Sequence, residues 1–178
     1  LPTGAPTSPV ISNFICLSLD EDLKSYCFEN QLDYTRYADD LTFSSLETIN
    51  SDMILDIISI ILSNGFNINE KKLRLKSAGT QQIVTGLIVN EKVNVPRKII
   101  KNTRAMLHDL TVNGAEIAAK NHFKNNQQPL STLQFKFLSR LKGYIDFIGQ
   151  VRGKNDSVHL KFKIQYYDYI YTFNNSTS

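Results

Sequence analysis

The sequence predicts an α+β fold, with helices and short antiparallel β-hairpins in the first half and mostly helices in the second. Three observations carry this expectation. Residues 33–44 set strand-favouring side chains on either side of Ala38-Asp39-Asp40, a poor strand sequence and a good tight turn. Residues 51–64 and 131–150 repeat apolar side chains at helical spacing. The 178 residues are 42% apolar and 21% charged, an ordinary globular balance with enough chain for one or two cores.

Taken in order, residues 1–9 form a turn-rich segment with three prolines and one glycine, which restricts φ and lets a backbone approach a ligand closely. A helix follows, capped by Thr7 or Ser8 with Pro9 in its first turn. Its apolar positions are Ile11, Ile15, Leu19, Leu23 and Tyr26. Residues 33–44 then form a hairpin with Asp39 and Asp40 at its tip. An isoleucine-rich amphipathic helix runs from about Ser51 to Asn64 and stops at Gly65. Phe66 to Lys76 starts as a short strand and turns basic. Ile83–Val89 and Lys92–Val95 read as two strands joined around Asn90-Glu91. Pro96 opens the next helix at its first position, and Arg97, Lys101, Arg104 and His108 fall on one face of it. A polar loop, residues 121–129, leads to a helix over about 131–150 with Leu133, Phe137, Leu141, Tyr144 and Ile148 inward. The Tyr- and Phe-rich tail from Lys161 has no firm assignment.

Composition excludes several classes. No apolar run approaches the roughly 18 residues that span a bilayer, and no basic-then-apolar leader is visible, so a cytoplasmic protein without a membrane partner is expected. The chain starts at Leu1, which reads as a piece of a longer or processed protein. Cys16 and Cys27 lie about three turns apart on the expected helix, too far for a disulfide. Without CxxC or Cys/His clusters, structural zinc is not expected. His108, His122 and His159 show no metal-ligand spacing and read as ordinary surface or half-buried residues. Charge is divided: residues 1–91 hold 6 Lys/Arg and 12 Asp/Glu, and residues 92–178 hold 14 and 5. The basic half fits a surface facing a polyanion, and equally fits solvated helix faces.

The sharpest chemical candidate is Tyr37-Ala38-Asp39-Asp40. Two adjacent carboxylates repel each other, and placing both in a cleft is costly without cations. Hard divalent metals such as Mg²⁺ accept such oxygens together with phosphates and water. An isolated Asp-Asp is ordinarily a solvated acidic turn; the residues around this one change that reading.

Tyr37-Ala38-Asp39-Asp40 within an apolar hairpin resembles the catalytic motif of reverse transcriptases. Leu1-Pro2-Thr3-Gly4-Ala5-Pro6-Thr7-Ser8-Pro9, with Asn13 after it, is similar to that family's LPQGxPxSP segment. Gly65-Phe66-Asn67-Ile68-Asn69 with Lys71 and Lys72 resembles the next block. Val84-Thr85-Gly86-Leu87 resembles the VTG segment of retron enzymes. Leu141-Lys142-Gly143-Tyr144 and Ile145-Asp146-Phe147 are similar to a thumb pattern shared with group II intron enzymes. The five blocks occur in the family's order over about 150 of the 178 residues.

The resemblance implies part of a right-hand polymerase palm over residues 1–95 and a helical thumb over 96–178. It implies RNA-directed DNA synthesis with two Mg²⁺ ions, Mn²⁺ being an acceptable substitute. Asp39 and Asp40 are the implied catalytic metal ligands. Thr3, Gly4, Pro6, Ser8, Tyr37 and Ala38 would line the nucleotide and template path, with Lys71 or Lys72 near the triphosphate. Val84, Thr85 and Gly86 would form the primer grip. Arg97, Lys101 and Arg104 would contact the template–primer backbone without reading sequence. The implied partners are dNTPs, an RNA template and primer within a structured non-coding RNA, and an effector protein in antiphage defence.

Two departures qualify this. Thr3 stands where many members carry Gln. The family's first catalytic aspartate lies upstream of the block at which this chain starts, so the chain alone is expected not to polymerise. Two alternatives stand beside the retron reading. One is a group II intron-like or abortive-infection reverse transcriptase. The other is a non-catalytic RNA-binding scaffold that keeps the hairpin as structure.

Overall fold

A computed structural model describes residues 4–123 and 128–176. Six helices and two small antiparallel hairpins follow one another in the order α1 (Ser8–Ile15), α2 (Leu17–Glu29), β1 (Asp33–Tyr37), β2 (Asp40–Ser44), α3 (Ser51–Ser63), β3 (Ile83–Val84), β4 (Leu87–Ile88), α4 (Arg97–His122), α5 (Leu130–Arg152) and α6 (Ser157–Ser176). A 3₁₀ turn, Glu70–Lys72, lies between α3 and β3. The chain divides into two compact units, one ending at Thr85 and one starting at Gly86. No helix of the described residues is long and apolar enough to cross a membrane.

In the first unit, α1 and α2 replace the single helix expected from residue 8 onward. Cys16, at φ −89° and ψ 5°, breaks the helical run and serves as the junction. The expected apolar stripe is therefore interrupted. Leu19 and Leu23 are buried on α2, whereas Ile11 and Ile15 on α1 are exposed. Both cysteines are free and buried. The core gathers Leu19, Leu23 and Cys27 of α2, Leu32, and Ile57 and Ile61 of α3. Tyr34, Leu41 and Phe43 of the hairpin pack against it. The hairpin register pairs Tyr34 with Phe43 and Tyr37 with Asp40. The rings of Tyr34 and Phe43 stack with centroids 5.2 Å apart.

Helix α3 begins and ends as its residues dictate. The Asn50 side chain accepts from the Met53 N–H at 2.9 Å, a side-chain N-cap, and Gly65 follows its end at φ +80°. The strand expected from Phe66 does not form. Residues 66–69 run without regular structure into the 3₁₀ turn, and neither finds a ladder partner among the described strands.

The stretch from Ile83 also differs from expectation. Thr85 (φ +47°) and Gly86 (φ +84°) make a two-residue turn, so Ile83–Val84 pairs with Leu87–Ile88 instead of continuing as one strand. Positive φ at both central residues suits the twist of a tight hairpin. Only a single bridge, Ile88 to Asn94, spans the expected Asn90-Glu91 turn.

The second unit is a three-helix assembly. Pro96 precedes α4 as its N-cap, one position earlier than expected. Met106, Leu107 and Leu110 of α4 pack on Leu133, Phe137, Leu141, Ile145 and Ile148 of α5 and on Phe162 and Tyr166 of α6. The helical spacing of these residues builds one continuous apolar interior. Gly114, at φ +75° and ψ +168°, kinks α4. The backbone N–H of Ala115, released by the kink, donates to the Tyr169 hydroxyl at 2.9 Å. The aromatic tail is thus a helix, and one of its tyrosines caps the restarted half of α4.

Of the histidines, His159 departs from the expected surface or half-buried placement, and His122 keeps it. His159 is buried, and its Nδ1 donates to the Ile145 carbonyl at 3.1 Å. His122 lies 3.4 Å from the Asp109 carboxylate, and its ring faces that of Phe137. The loop expected at residues 121–129 includes 124–127, which lie outside the described residues.

Candidate active site

The hairpin carries Asp39 and Asp40 to a two-residue turn. Ala38 and Asp39 are its central residues, and Asp40 opens β2 opposite Tyr37. Tyr37, Ala38, Asp39 and Asp40 are all exposed. Ala38 has φ +54°, a conformation that costs a non-glycine residue about 1–2 kcal/mol. Tight hairpins favour it because it matches the strand twist. Replacing Ala38 with glycine should remove that strain, less about 0.5–1 kcal/mol for the looser unfolded chain. A gain of up to about 1.5 kcal/mol in stability, read from a urea unfolding curve, is therefore expected.

Beneath the turn lies a polar network absent from the motif-based expectations. Strand alternation turns Tyr34 and Arg36 inward on β1 while Asp33, Thr35 and Tyr37 stay exposed. The Arg36 guanidinium grips Asp20 of α2 with two parallel bonds, Nε to Oδ1 at 2.8 Å and Nη2 to Oδ2 at 2.6 Å. The Tyr34 hydroxyl donates to the same Asp20 Oδ1 at 2.7 Å. Arg36 Nη1 donates to the Asn13 Oδ1 of α1 and to the Ala38 carbonyl, each at 3.1 Å. The side chains of Arg36 and Asp20 are only 9% and 16% exposed.

The electrostatics agree with that geometry. Hydrogen bonding from Arg36, reinforced by Tyr34 and opposed by partial burial, holds the Asp20 carboxyl below its ordinary range. The Arg36 guanidinium is held still more firmly in its charged form by the Asp20 hydrogen bond. Burial and then the hydrogen bond to Asp20 push the Tyr34 hydroxyl upward. Asp20 is therefore an ionised carboxylate occupied by its partners, whereas Asp39 and Asp40 face outward.

The donor chemistry of Asp39 and Asp40 suits a hard divalent cation, since both offer carboxylate oxygens on one turn. In number they are incomplete: among the described residues no three His, Cys, Asp or Glu side chains are grouped to hold a metal ion.

The other expected site residues are distributed more widely. Gly4 is exposed at φ +87°, Pro6 is exposed, and Ser8 is the half-buried first residue of α1. Thr3 lies outside the described residues. Lys71 and Lys72 are exposed in the 3₁₀ turn, and no hydrogen bond or ion pair among the described residues joins them to the Asp-Asp turn. Val84, Thr85 and Gly86 belong to the second hairpin, with Thr85 and Gly86 at its exposed tip. Arg97, Lys101 and Arg104 are all exposed on α4, on the face away from buried Met106 and Leu110.

Comparison with known proteins finds relatives of this chain among the retron reverse transcriptases. Retron Ec86 reverse transcriptase of Escherichia coli is 37% identical over 158 residues, which is 87% of this chain and 48% of that protein. Retron Mx162 reverse transcriptase of Myxococcus xanthus is 36% identical over 126 residues, covering 61% of this chain and 26% of that protein. The chain is homologous to part of the retron reverse transcriptases.

Retron Mx65 reverse transcriptase of Myxococcus xanthus agrees, at 38% identity over 106 residues, 59% of this chain and 25% of that enzyme. The chain thus spans about half the length of the Escherichia coli retron relative and about a quarter of the two from Myxococcus. No family model matches the chain, and no solved structure matches it. The retron relationship explains the order of the sequence blocks. The Asp20–Arg36 network was not among the motifs that pointed to it. An arginine on the inward phase of β1 was the one available signal, because a half-buried guanidinium requires an acidic partner.

Proposed function

We propose that this chain forms the later palm, residues 1–95, and the thumb, residues 96–178, of a retron-type RNA-directed DNA polymerase. The observation that carries this reading is the 158-residue match to a retron reverse transcriptase. The exposed Asp39-Asp40 turn supports it. In the reaction a primer hydroxyl oxygen bonds to the α-phosphorus of a dNTP, and the bond from that phosphorus to the departing pyrophosphate breaks.

In this reading Asp39 and Asp40 hold the catalytic cations, alongside acidic groups beyond those of this chain. Divalent Mg²⁺, when bound, supplies Lewis-acid activation and neutralises phosphate charge. Gly4, Pro6, Ser8, Tyr37 and Ala38 border the nucleotide and template path, and Lys71 or Lys72 faces the triphosphate. Val84, Thr85 and Gly86 support the primer. Arg97, Lys101 and Arg104 hold phosphates of the template–primer duplex. The RNA is a structured non-coding RNA serving as template and primer, and the enzyme acts in the cytoplasm in antiphage defence with an effector protein.

The test is Mg²⁺-dependent dNTP incorporation on an RNA template, by this chain alone and by the full-length protein. Incorporation by the longer form only is the expected result. A longer form that folds and binds RNA yet incorporates nothing rejects the polymerase reading. The thumb assignment makes its own prediction. Replacing Arg97, Lys101 and Arg104 together with glutamine should weaken binding to all template–primer sequences alike. It should also reduce the slope of log affinity against log salt by roughly one for each phosphate that is no longer neutralised. Salt titrations of both proteins by fluorescence anisotropy check this.

A further inference from the structure

We infer that Arg36 is a positioning residue that sets the conformation of the Asp39-Asp40 turn, and that Asp20 is the anchor against which it does so. The inference rests on the polymerase reading only for its consequence in activity; its structural content stands on the hairpin itself.

Three observations converge. First, Arg36 uses four hydrogen bonds in one fork: two to Asp20, one to Asn13, and one to the carbonyl of Ala38. The last bond reaches the backbone of the residue immediately before Asp39. Second, Ala38 is the turn residue with positive φ, at +54°. An L-residue stays in that region only when its surroundings over-determine it, and a charged donor on its carbonyl is such a constraint. Third, the anchor is doubly secured. Asp20 also accepts from Tyr34, and Tyr34 stacks on Phe43 across the hairpin. Asn13 ties the same guanidinium to α1. The turn is therefore referenced to two helices and to its own sheet through a single side chain.

This goes beyond an ion pair that merely stabilises the unit. A mostly buried ion pair adds little net stability relative to a well-packed apolar pair. The bond to the Ala38 carbonyl, by contrast, requires the planar fork of arginine, with Nη1 free to turn away from the Asp20 pair. Lysine retains the charge and loses that geometry.

The experiment compares three forms of the full-length protein: the wild type, Arg36→Lys, and the apolar replacement Asp20→Leu/Tyr34→Phe/Arg36→Met. Apolar groups replace the whole buried network in the last form, so its unit has the means to fold without the turn bond. Two readouts are taken on each. One is the kcat and dNTP KM of primer extension. The other is the set of backbone amide resonances of Ala38, Asp39 and Asp40, with their paramagnetic broadening by Mn²⁺.

For both variants the expected result is a kcat lower by about 100-fold, with KM changed less than about threefold, because misplacing reacting groups by about 1 Å has an effect of that size. The turn amides should shift and their Mn²⁺ broadening weaken, while the thermal midpoint of at least one variant stays near that of the wild type. Unshifted turn amides in Arg36→Lys overturn the proposal whatever the activity. So does an apolar triple variant with wild-type kcat. If the wild type itself fails to extend a primer, the polymerase reading falls, and the amide shifts alone decide the role of Arg36. If both variants lose kcat only in proportion to their unfolded fraction, with native turn resonances in the folded molecules, Arg36 is a structural residue and the proposal is overturned.

Discussion

Asp39→Asn and Asp40→Asn, each introduced into the full-length protein, are expected to reduce Mg²⁺-dependent primer extension by about 10²- to 10³-fold. Asparagine keeps the size and one carbonyl oxygen of each side chain but removes the negative charge that a hard cation requires. The fold has no stake in that charge. Both residues are exposed, and the bonds that hold the turn run from Arg36 to the Ala38 backbone and to Asp20. Stability should therefore change by no more than about 0.5 kcal/mol. Activity lost from an intact fold is the signature of a metal-binding role. Single-turnover extension with circular dichroism melting separates the two effects. Equal extension by a double Asn variant would remove Asp39 and Asp40 from the catalytic site. The chain would then be better read as an RNA-binding scaffold that keeps the hairpin as structure.

Gly149→Ala has the largest expected effect on stability, and it acts far from any motif. Gly149 is a buried residue of α5, and His159 of α6 lies directly over it. A Cβ placed on Gly149 would meet the imidazole ring 2.5 Å from Nδ1 and 2.9 Å from Nε2. The ring has no free room to retreat, because it is itself buried and its Nδ1 donates to Ile145 at 3.1 Å. Alanine must either separate α5 from α6 or displace the ring and deprive its buried Nδ1–H of the Ile145 carbonyl. Alanine's better helix propensity, about 1 kcal/mol, recovers only part of that. A net loss of about 2–4 kcal/mol is expected in denaturant unfolding. Combining it with His159→Ala should cost less than the sum of the two single changes, since removing the ring removes the clash. Additive losses would show that the clash is not responsible.

Much of the architecture is legible in the sequence wherever a single element carries its own signal. The hairpin at 33–44 and the helix from Ser51 follow from strand propensity, turn residues and apolar period, and both occur with bounds close to those expected. The inward residues Leu133, Phe137, Leu141 and Ile148 follow from the same spacing and are buried. The misses have physical causes. The first helix breaks at Cys16, a residue with no strong tendency to stop a helix. The Thr85-Gly86 turn lacks the usual Asn-Gly signature, although Gly86 was a visible cue. The tail from Lys161 is so rich in aromatics that its period is hidden until Phe162 and Tyr166 are seen facing the same core.

By itself the sequence determined the hairpin at 33–44, the helix from Ser51, the pair of carboxylates on a turn, and the order of blocks that relates the chain to retron reverse transcriptases. These are matters of nearest neighbours, of period and of motif, and they need no knowledge of what packs against what. Only the tertiary structure decided that Asp20 and Arg36, 16 residues apart, share one bidentate contact beneath the turn. The same holds for the Tyr169 hydroxyl that caps the kink at Gly114, 54 residues from its Ala115 partner, and for His159 resting on Gly149. Such pairings depend on how whole elements cross in space. Burial then makes them obligatory, because a polar or charged group removed from water must find its partner wherever the fold brings one.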